Sequence, residues 1–317
     1  MSSIAEGREA EGWEYDLVPL PDGRVTEVLT YGTATAGTLL CHTGTPGGLV
    51  PRPLFGRVCD DLGLRFVMAG RPGYARSSPR PGRVIADIAE DTAPVLDHLG
   101  VDTFVTMGGS GGGPNALACA ALLPDRCEAA AAVVSPAPID ADGLDYYAGM
   151  GPENVEEWKL AERGRELIGP WLKRTVAGWG DLSAADFVDS YRGALPPVDQ
   201  ELCTTEFGDA FVASTRKATS TGVEGWVEDD LALVTPWGFD LGAITTPVAV
   251  WTGKLDRMIS YEHSVWLARA VPGADLHVIA GHGHLSVVPA YLPDIVSDLL
   301  RKAAARRESE ANDDSAA

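Results

Sequence analysis

The chain has 317 residues, 45% of them hydrophobic and 22% charged, with 25 basic against 45 acidic side chains and a formal charge of −20. That composition fits one large α/β domain or two small ones, and it excludes intrinsic disorder, collagen and coiled coil as whole-chain descriptions. The acidic balance repels phosphate backbones and anionic membrane surfaces, so nucleic acid and membrane are not expected as partners. The stretch Met1–Glu9 carries acids and lacks an apolar core, which predicts no secretion signal. No apolar run reaches the ~18 residues of a spanning helix. Cys41, Cys59, Cys119, Cys127 and Cys203 are scattered and form no Cys-x-x-Cys. Reduced thiols in a cytoplasmic protein are the expectation, rather than disulfides or a zinc site.

In chain order, Tyr15–Pro19 and Val25–Tyr31 flank Pro21-Asp22-Gly23 and read as an antiparallel hairpin. Thr38–His42 reads as a buried strand that runs into the loop Thr43-Gly44-Thr45-Pro46-Gly47-Gly48. A helix over Pro53–Leu62 precedes strand Leu64–Ala69, and Gly70-Arg71-Pro72-Gly73-Tyr74 then breaks the pattern. Helix Val84–Leu99, strand Phe104–Met107, a glycine-rich turn, helix Pro114–Leu123 and strand Ala129–Val134 follow. The alternation resumes with strand Val248–Trp251, helix Tyr261–Ala270, strand Leu276–Ile279 and helix Pro293–Ala304. Alternating strands and helices predict a mostly parallel sheet with helices on both faces.

Residues 137–246 interrupt that alternation. They hold 20 acidic and 8 basic residues and five of the eight tryptophans, Trp226 among them. Asn154–Ile168 and Ala184–Tyr191 read as amphipathic helices, the second capped by Ser183. A helical insertion between two parallel strands is expected to cap the C-terminal strand edge, where ligand sites of open α/β sheets lie. The predicted organisation is therefore a core of residues 1–136 and 247–304, a cap of residues 137–246, and a frayed polar tail of residues 305–317.

The sharpest motif is Met107-Gly108-Gly109-Ser110-Gly111-Gly112-Gly113-Pro114, a Gly-x-Ser-x-Gly at a predicted strand-to-helix junction. Small residues at Gly108 and Gly112 let strand and helix approach, while the tight elbow presents the serine above the sheet. The N–H of Gly111 then lies where an oxyanion can be held. A dinucleotide fingerprint would need a third glycine where Pro114 stands, and a phosphate-binding loop would need a Gly-Lys-Ser/Thr. A serine nucleophile requires a base. His98, His263 and His277 fall in regular elements, whereas Gly281-His282-Gly283-His284 follows the last strand at the sheet edge. His284 is the expected base and His282 the second candidate. An acid must orient it. Asp256 follows strand Pro247–Gly253 on the same edge, and Asp140 is the alternative. No metal-binding pattern such as His-Glu-x-x-His occurs.

The order Ser110, Asp256, His284 and the flanking elements resemble the α/β-hydrolase family over about Leu17–Ala304. Under that resemblance, Thr43–Gly48 corresponds to the family's His-Gly-x-Pro loop, and the N–H of Thr45 joins Gly111 in the oxyanion hole. Thr43 stands where the family usually has histidine, with His42 displaced by one position. Gly70–Ser77 resembles a loop that is usually structural, with Ala75 in place of a common glycine.

These residues imply acyl transfer through Ser110, without cofactor or metal, on a small-molecule acyl substrate. The serine argues against dehalogenase or epoxide-hydrolase chemistry, which the family runs with aspartate. The leading expectation is a carboxylic ester or lactone hydrolase. An aminopeptidase resembling proline iminopeptidase is the alternative, which would need cap carboxylates to bind a free amine. Glu224, Glu228, Asp229 and Asp230 lie near Trp226, and Trp226, Glu224 and Asp229 are the candidate substrate-binding residues. A ligand-binding or non-hydrolytic biosynthetic member of the same fold is the reading from another class.

Overall fold

A computed structural model describes residues 12–316, with side chains described as far as Asn312. The leader reading falls on residues outside that range. Eight strands form one sheet: β1 (Trp13–Pro19), β2 (Val25–Tyr31), β3 (Gly37–His42), β4 (Leu64–Ala69), β5 (Phe104–Gly109), β6 (Cys127–Val133), β7 (Val248–Gly253) and β8 (Asp275–Ile279). Their spatial order is β1-β2-β4-β3-β5-β6-β7-β8. The hairpin β1–β2 and the pair β2–β4 are antiparallel, and every other pair is parallel.

Parallel strands need crossovers, and the helices supply them on both faces. Alternate side chains of each strand go to opposite cores. Leu40, Ala130 and Ala132 pack with α2 (Ile88–His98), α3 (Gly113–Leu122) and α10 (Tyr261–Ala270). Leu39, Cys41, Ala129, Ala131 and Val133 face α1 (Pro53–Leu62) and α11 (Val287–Ala316). The alanine run of β6 keeps both faces of the central strand thin, so α3 and α11 lie close against it. All five cysteines are buried and unpaired.

Between β6 and β7 the chain forms six helices: α4 (Pro152–Glu162), α5 (Arg165–Thr175), α6 (Ala184–Ser190), α7 (Pro197–Leu202), α8 (Glu206–Thr219) and α9 (Glu224–Leu233). They enclose a third apolar cluster around Ile168, Leu172, Trp226 and Val227, which also takes in Tyr74 and Leu285 from the sheet's loops. Three sequence expectations change here. The helix predicted over Asn154–Ile168 is two helices, because Gly164 at φ 102° turns the chain between α4 and α5. The helix predicted from Val84 begins as a 3-10 turn over Ile85–Asp87. The expected tail instead continues α11 to Ala316. Arg306 anchors that extension, donating to the carbonyls of Cys127 and Pro124, both at 3.0 Å, and pairing with Glu310. Among the described residues, no helix is long and apolar enough to cross a membrane.

Candidate active site

β5 delivers Ser110 to the C-terminal edge of the sheet at φ 54°, a left-handed conformation that a serine holds only when its surroundings enforce it. The surroundings are backbone. A methyl group on Gly108 would strike the carbonyl of Gly112, and one on Gly112 would strike the carbonyls of His42 and Thr43. Ser110–Gly112 make one 3-10 turn before α3, and Asn115 Nδ2 donates to the Gly111 carbonyl at 3.0 Å. That bond fixes the peptide following Gly111 at the start of the helix.

The loop after β3 lies alongside. A methyl group on Gly44 would contact Ser110 Cβ at 3.3 Å, and one on Gly111 would come within 3.4 Å of the Thr45 nitrogen. The backbone of Thr45 thus borders Gly111 and Ser110. Arg71 holds this loop: Nη1 donates to the Thr43 carbonyl at 2.5 Å and to Thr43 Oγ1 at 3.0 Å, and Nη2 donates to the Gly44 carbonyl at 2.9 Å. His42 points away from the loop. Its Nε2 lies 3.6 Å from Cys119 Sγ, and burial together with the nearby Arg71 charge pushes its pKa down to about 3. The ring is neutral, and Thr43 accepts from Arg71 instead.

His284 is buried in the loop after β8, with Nδ1 2.8 Å from Asp256 Oδ2. Asp256 Oδ1 accepts from the N–H groups of Met258 and Ile259, both at 2.9 Å, so both carboxylate oxygens have partners. Burial raises the Asp256 pKa against the opposing pull of His284 and these N–H groups. For His284, burial disfavours the charged ring, but the Asp256 charge and hydrogen bond, with Asp199 further off, carry the pKa above its usual value. Ser110 and His284 line one cavity, with Thr45, Phe207, Phe211 and Met258 also in its wall. His282 is half-buried against the Tyr291 ring, and Asp140 lies in a separate groove beside Trp237 and Trp266. Neither lines this cavity.

The acidic residues expected to meet substrate are engaged elsewhere. Glu224 is exposed and pairs with Arg165 at 2.9 Å and Lys173 at 3.7 Å. Asp229 is buried against Arg71 at 2.5 Å and against Arg83, and it accepts from Tyr74 Oη at 2.7 Å and Thr45 Oγ1 at 2.8 Å. Burial opposes its charge, but the two guanidinium groups outweigh burial and hold the carboxyl well below the usual carboxylate range. Asp229 therefore steadies the Thr45 loop, and its oxygens are spoken for. Trp226 is buried and lines a side chamber of the same cavity, donating to Glu157 Oε1 at 2.7 Å.

Sequence reasoning missed Asp199. This α7 side chain is fully buried and accepts from the N–H groups of Leu285 at 3.0 Å and Ser286 at 3.1 Å, the two residues after His284. It neutralises open N–H groups ahead of α11 and sets the loop that carries the histidine. Its only local signal is an acid in the first turn of a Pro-initiated helix, which many surface helices share.

The family model for the alpha/beta hydrolase fold matches residues 37–290. The chain belongs to the α/β-hydrolase fold family and is an enzyme of that hydrolase class. It is 21% identical over 228 residues to an uncharacterized hydrolase, YcgS, of Bacillus subtilis strain 168, covering 71% of this chain and 77% of that one. Among solved structures it resembles a thermophilic esterase from Thermogutta terrifontis, with TM-score 0.62, 22% identity, and coverage of 92% and 99% of the two chains. It also resembles the enol-lactonase from Burkholderia xenovorans LB400, with TM-score 0.59, 20% identity, and coverage of 91% and 100%.

Proposed function

We propose that the protein hydrolyses a small carboxylic ester or lactone through an acyl-serine intermediate. One observation carries this reading: a serine held in a left-handed elbow shares a cavity with a buried histidine whose Nδ1 is fixed by a buried aspartate. Ser110 Oγ attacks the carbonyl carbon as His284 Nε2 takes its proton. Asp256 holds the ring orientation and stabilises the imidazolium. The N–H groups of Gly111 and Thr45 receive the oxyanion. Collapse expels the alcohol oxygen, which takes the proton from His284. Water then gives a proton to His284 and its hydroxide to the acyl carbon, and as the acyl–Oγ bond breaks to release the acid, Ser110 Oγ takes the proton back from His284.

Residues 137–246 act in this reading as a cap that closes the cavity. The side chains of Met68, Met107, Phe207, Phe211 and Val288 in its wall favour an apolar acyl or alcohol part. The resemblance to an esterase and an enol-lactonase supports the same reaction class. Of the four acids nominated to hold an amine in an aminopeptidase, Glu224, Glu228 and Asp229 already pair with Arg165, Arg71 and Arg83, which leaves Asp230.

The test is the intact mass after treatment with a fluorophosphonate, together with p-nitrophenyl acetate turnover. Wild type should gain one adduct and Ser110→Ala none, with turnover falling by at least about 10³-fold in the variant. A folded wild-type protein that takes no adduct would overturn the mechanism and leave the ligand-binding reading.

A further inference from the structure

The side chamber of the active-site cavity is walled by Ser110, Gly111 and Thr45 on one side and by the insertion on the other. Trp158, Trp179, Phe187, Tyr191 and Trp226 give it an aromatic lining. Two carboxyl groups, Glu157 from α4 and Asp230 from α9, interrupt that lining. Both are more than nine-tenths buried. Glu157 accepts from Trp226 Nε1, whereas Asp230 Oδ2 meets no donor among the described residues.

The positive charges nearby are committed to other acids. Arg71 and Arg83 serve Asp229, and Arg165 serves Glu224 and Glu228. Among the described residues no cation pairs with Glu157 or Asp230. The two carboxyls hydrogen-bond to each other, so that the pair shares a proton, and burial raises the pKa of both, Glu157 to about 7. A pair kept only to join α4 to α9 would be replaced at little cost by neutral or apolar groups. Aromatic faces with carboxylates set among them match a different purpose. Ring quadrupoles attract a desolvated cation, and the carboxylates complete its charge and its hydrogen bonds.

We propose that this chamber is a subsite for a protonated amine on the substrate, so that the preferred ester carries an ammonium group near its scissile carbonyl. The proposal rests on the serine-hydrolase reading for the placement of the carbonyl at Ser110, while cation binding itself does not depend on turnover. Of this pair the sequence had nominated Asp230 but not Glu157, while Asp229, one residue earlier on α9, faces Arg71 instead.

The experiment is calorimetric titration of the full chain with benzylammonium and with benzyl alcohol, probes of similar shape that differ in charge. Wild type, Glu157→Gln, Asp230→Asn and the double variant are compared, with cooperative thermal unfolding as the fold control. Benzylammonium should bind wild type at least about tenfold more tightly than benzyl alcohol, and it should shield Ser110 from the fluorophosphonate. The preference should shrink in each single variant and vanish in the double. Equal affinities in wild type, or a preference that survives in the double variant, would overturn the subsite. If the double variant does not fold, the wild-type comparison and Glu157→Gln, which keeps an acceptor for Trp226, still decide. Absence of a fluorophosphonate adduct in a protein that prefers benzylammonium would count against the serine mechanism and leave the subsite standing.

Discussion

At the scale of single residues, the charge on His284 is set from two directions. Asp256 binds its Nδ1 directly, and Asp199 acts through the loop and through space. In the proposed mechanism the general base must be neutral to accept a proton, so kcat/KM is expected to rise with pH as His284 deprotonates. Removing a nearby negative charge lowers that pKa. Asp199→Asn is therefore expected to move the acid limb of the kcat/KM profile to lower pH. It should also reduce kcat, because an amide cannot accept as strongly from the N–H groups of Leu285 and Ser286. A lower kcat with the acid limb unmoved would make Asp199 a purely steric support. Ser110, Gly111, Asp256 and His284, the residues of the proposed mechanism, could be singled out in the sequence because each follows a strand within a short pattern of its own. Asp199 could not, since its partners lie 86 and 87 positions away and nothing adjacent to it marks the contact.

At the scale of elements, the loops after β3 and β4 and helix α9 are joined by one buried ion cluster. Arg71 and Asp229 are 158 positions apart, yet both are almost wholly withdrawn from solvent. Breaking a buried pair by neutralising one member leaves the other uncompensated. Asp229→Asn should thus destabilise the fold by about 3–5 kcal/mol, measured by urea unfolding. An exposed pair such as Arg192–Asp189 should cost under about 1 kcal/mol when broken. A loss of that small size for Asp229→Asn would mean that Arg71 and Arg83 find other partners or water. The order of strands and helices was legible because apolar periodicity and glycine or proline breaks are local. The split of α4 from α5 turned on a single glycine's dihedral, and the length of α11 on side-chain anchors such as Arg306. Periodicity carries neither kind of information.

At the scale of the whole molecule, the buried acids make stability depend on pH. Glu157 ordinarily titrates near 4.5 and in the fold near 7, with Asp230 and Tyr191 as its ionisable neighbours. Between those values the folded state binds more protons than the unfolded chain, so stability falls as pH rises through that window. Glu157→Gln should flatten the fall in Tm between about pH 5 and pH 7. An unchanged slope would assign the titration to other groups. Asp229 works in the opposite sense and in a lower window: its stabilisation is complete above its ordinary value of 3.8 and is lost as pH falls below it.

The insertion between β6 and β7 grips the sheet's loops at several points. Asp199 holds the histidine loop, Asp229 the Thr45 loop through Arg71, Ser214 Oγ donates to the Gly48 carbonyl, and Lys217 pairs with Glu27. It therefore serves as a jig in which these loops are set. Exchanging it wholesale for another helical segment would unset the very loops it was meant to re-equip. Divergence toward new substrates is then channelled into point changes on its aromatic inner wall, where a side chain can be altered while the grips stay in place.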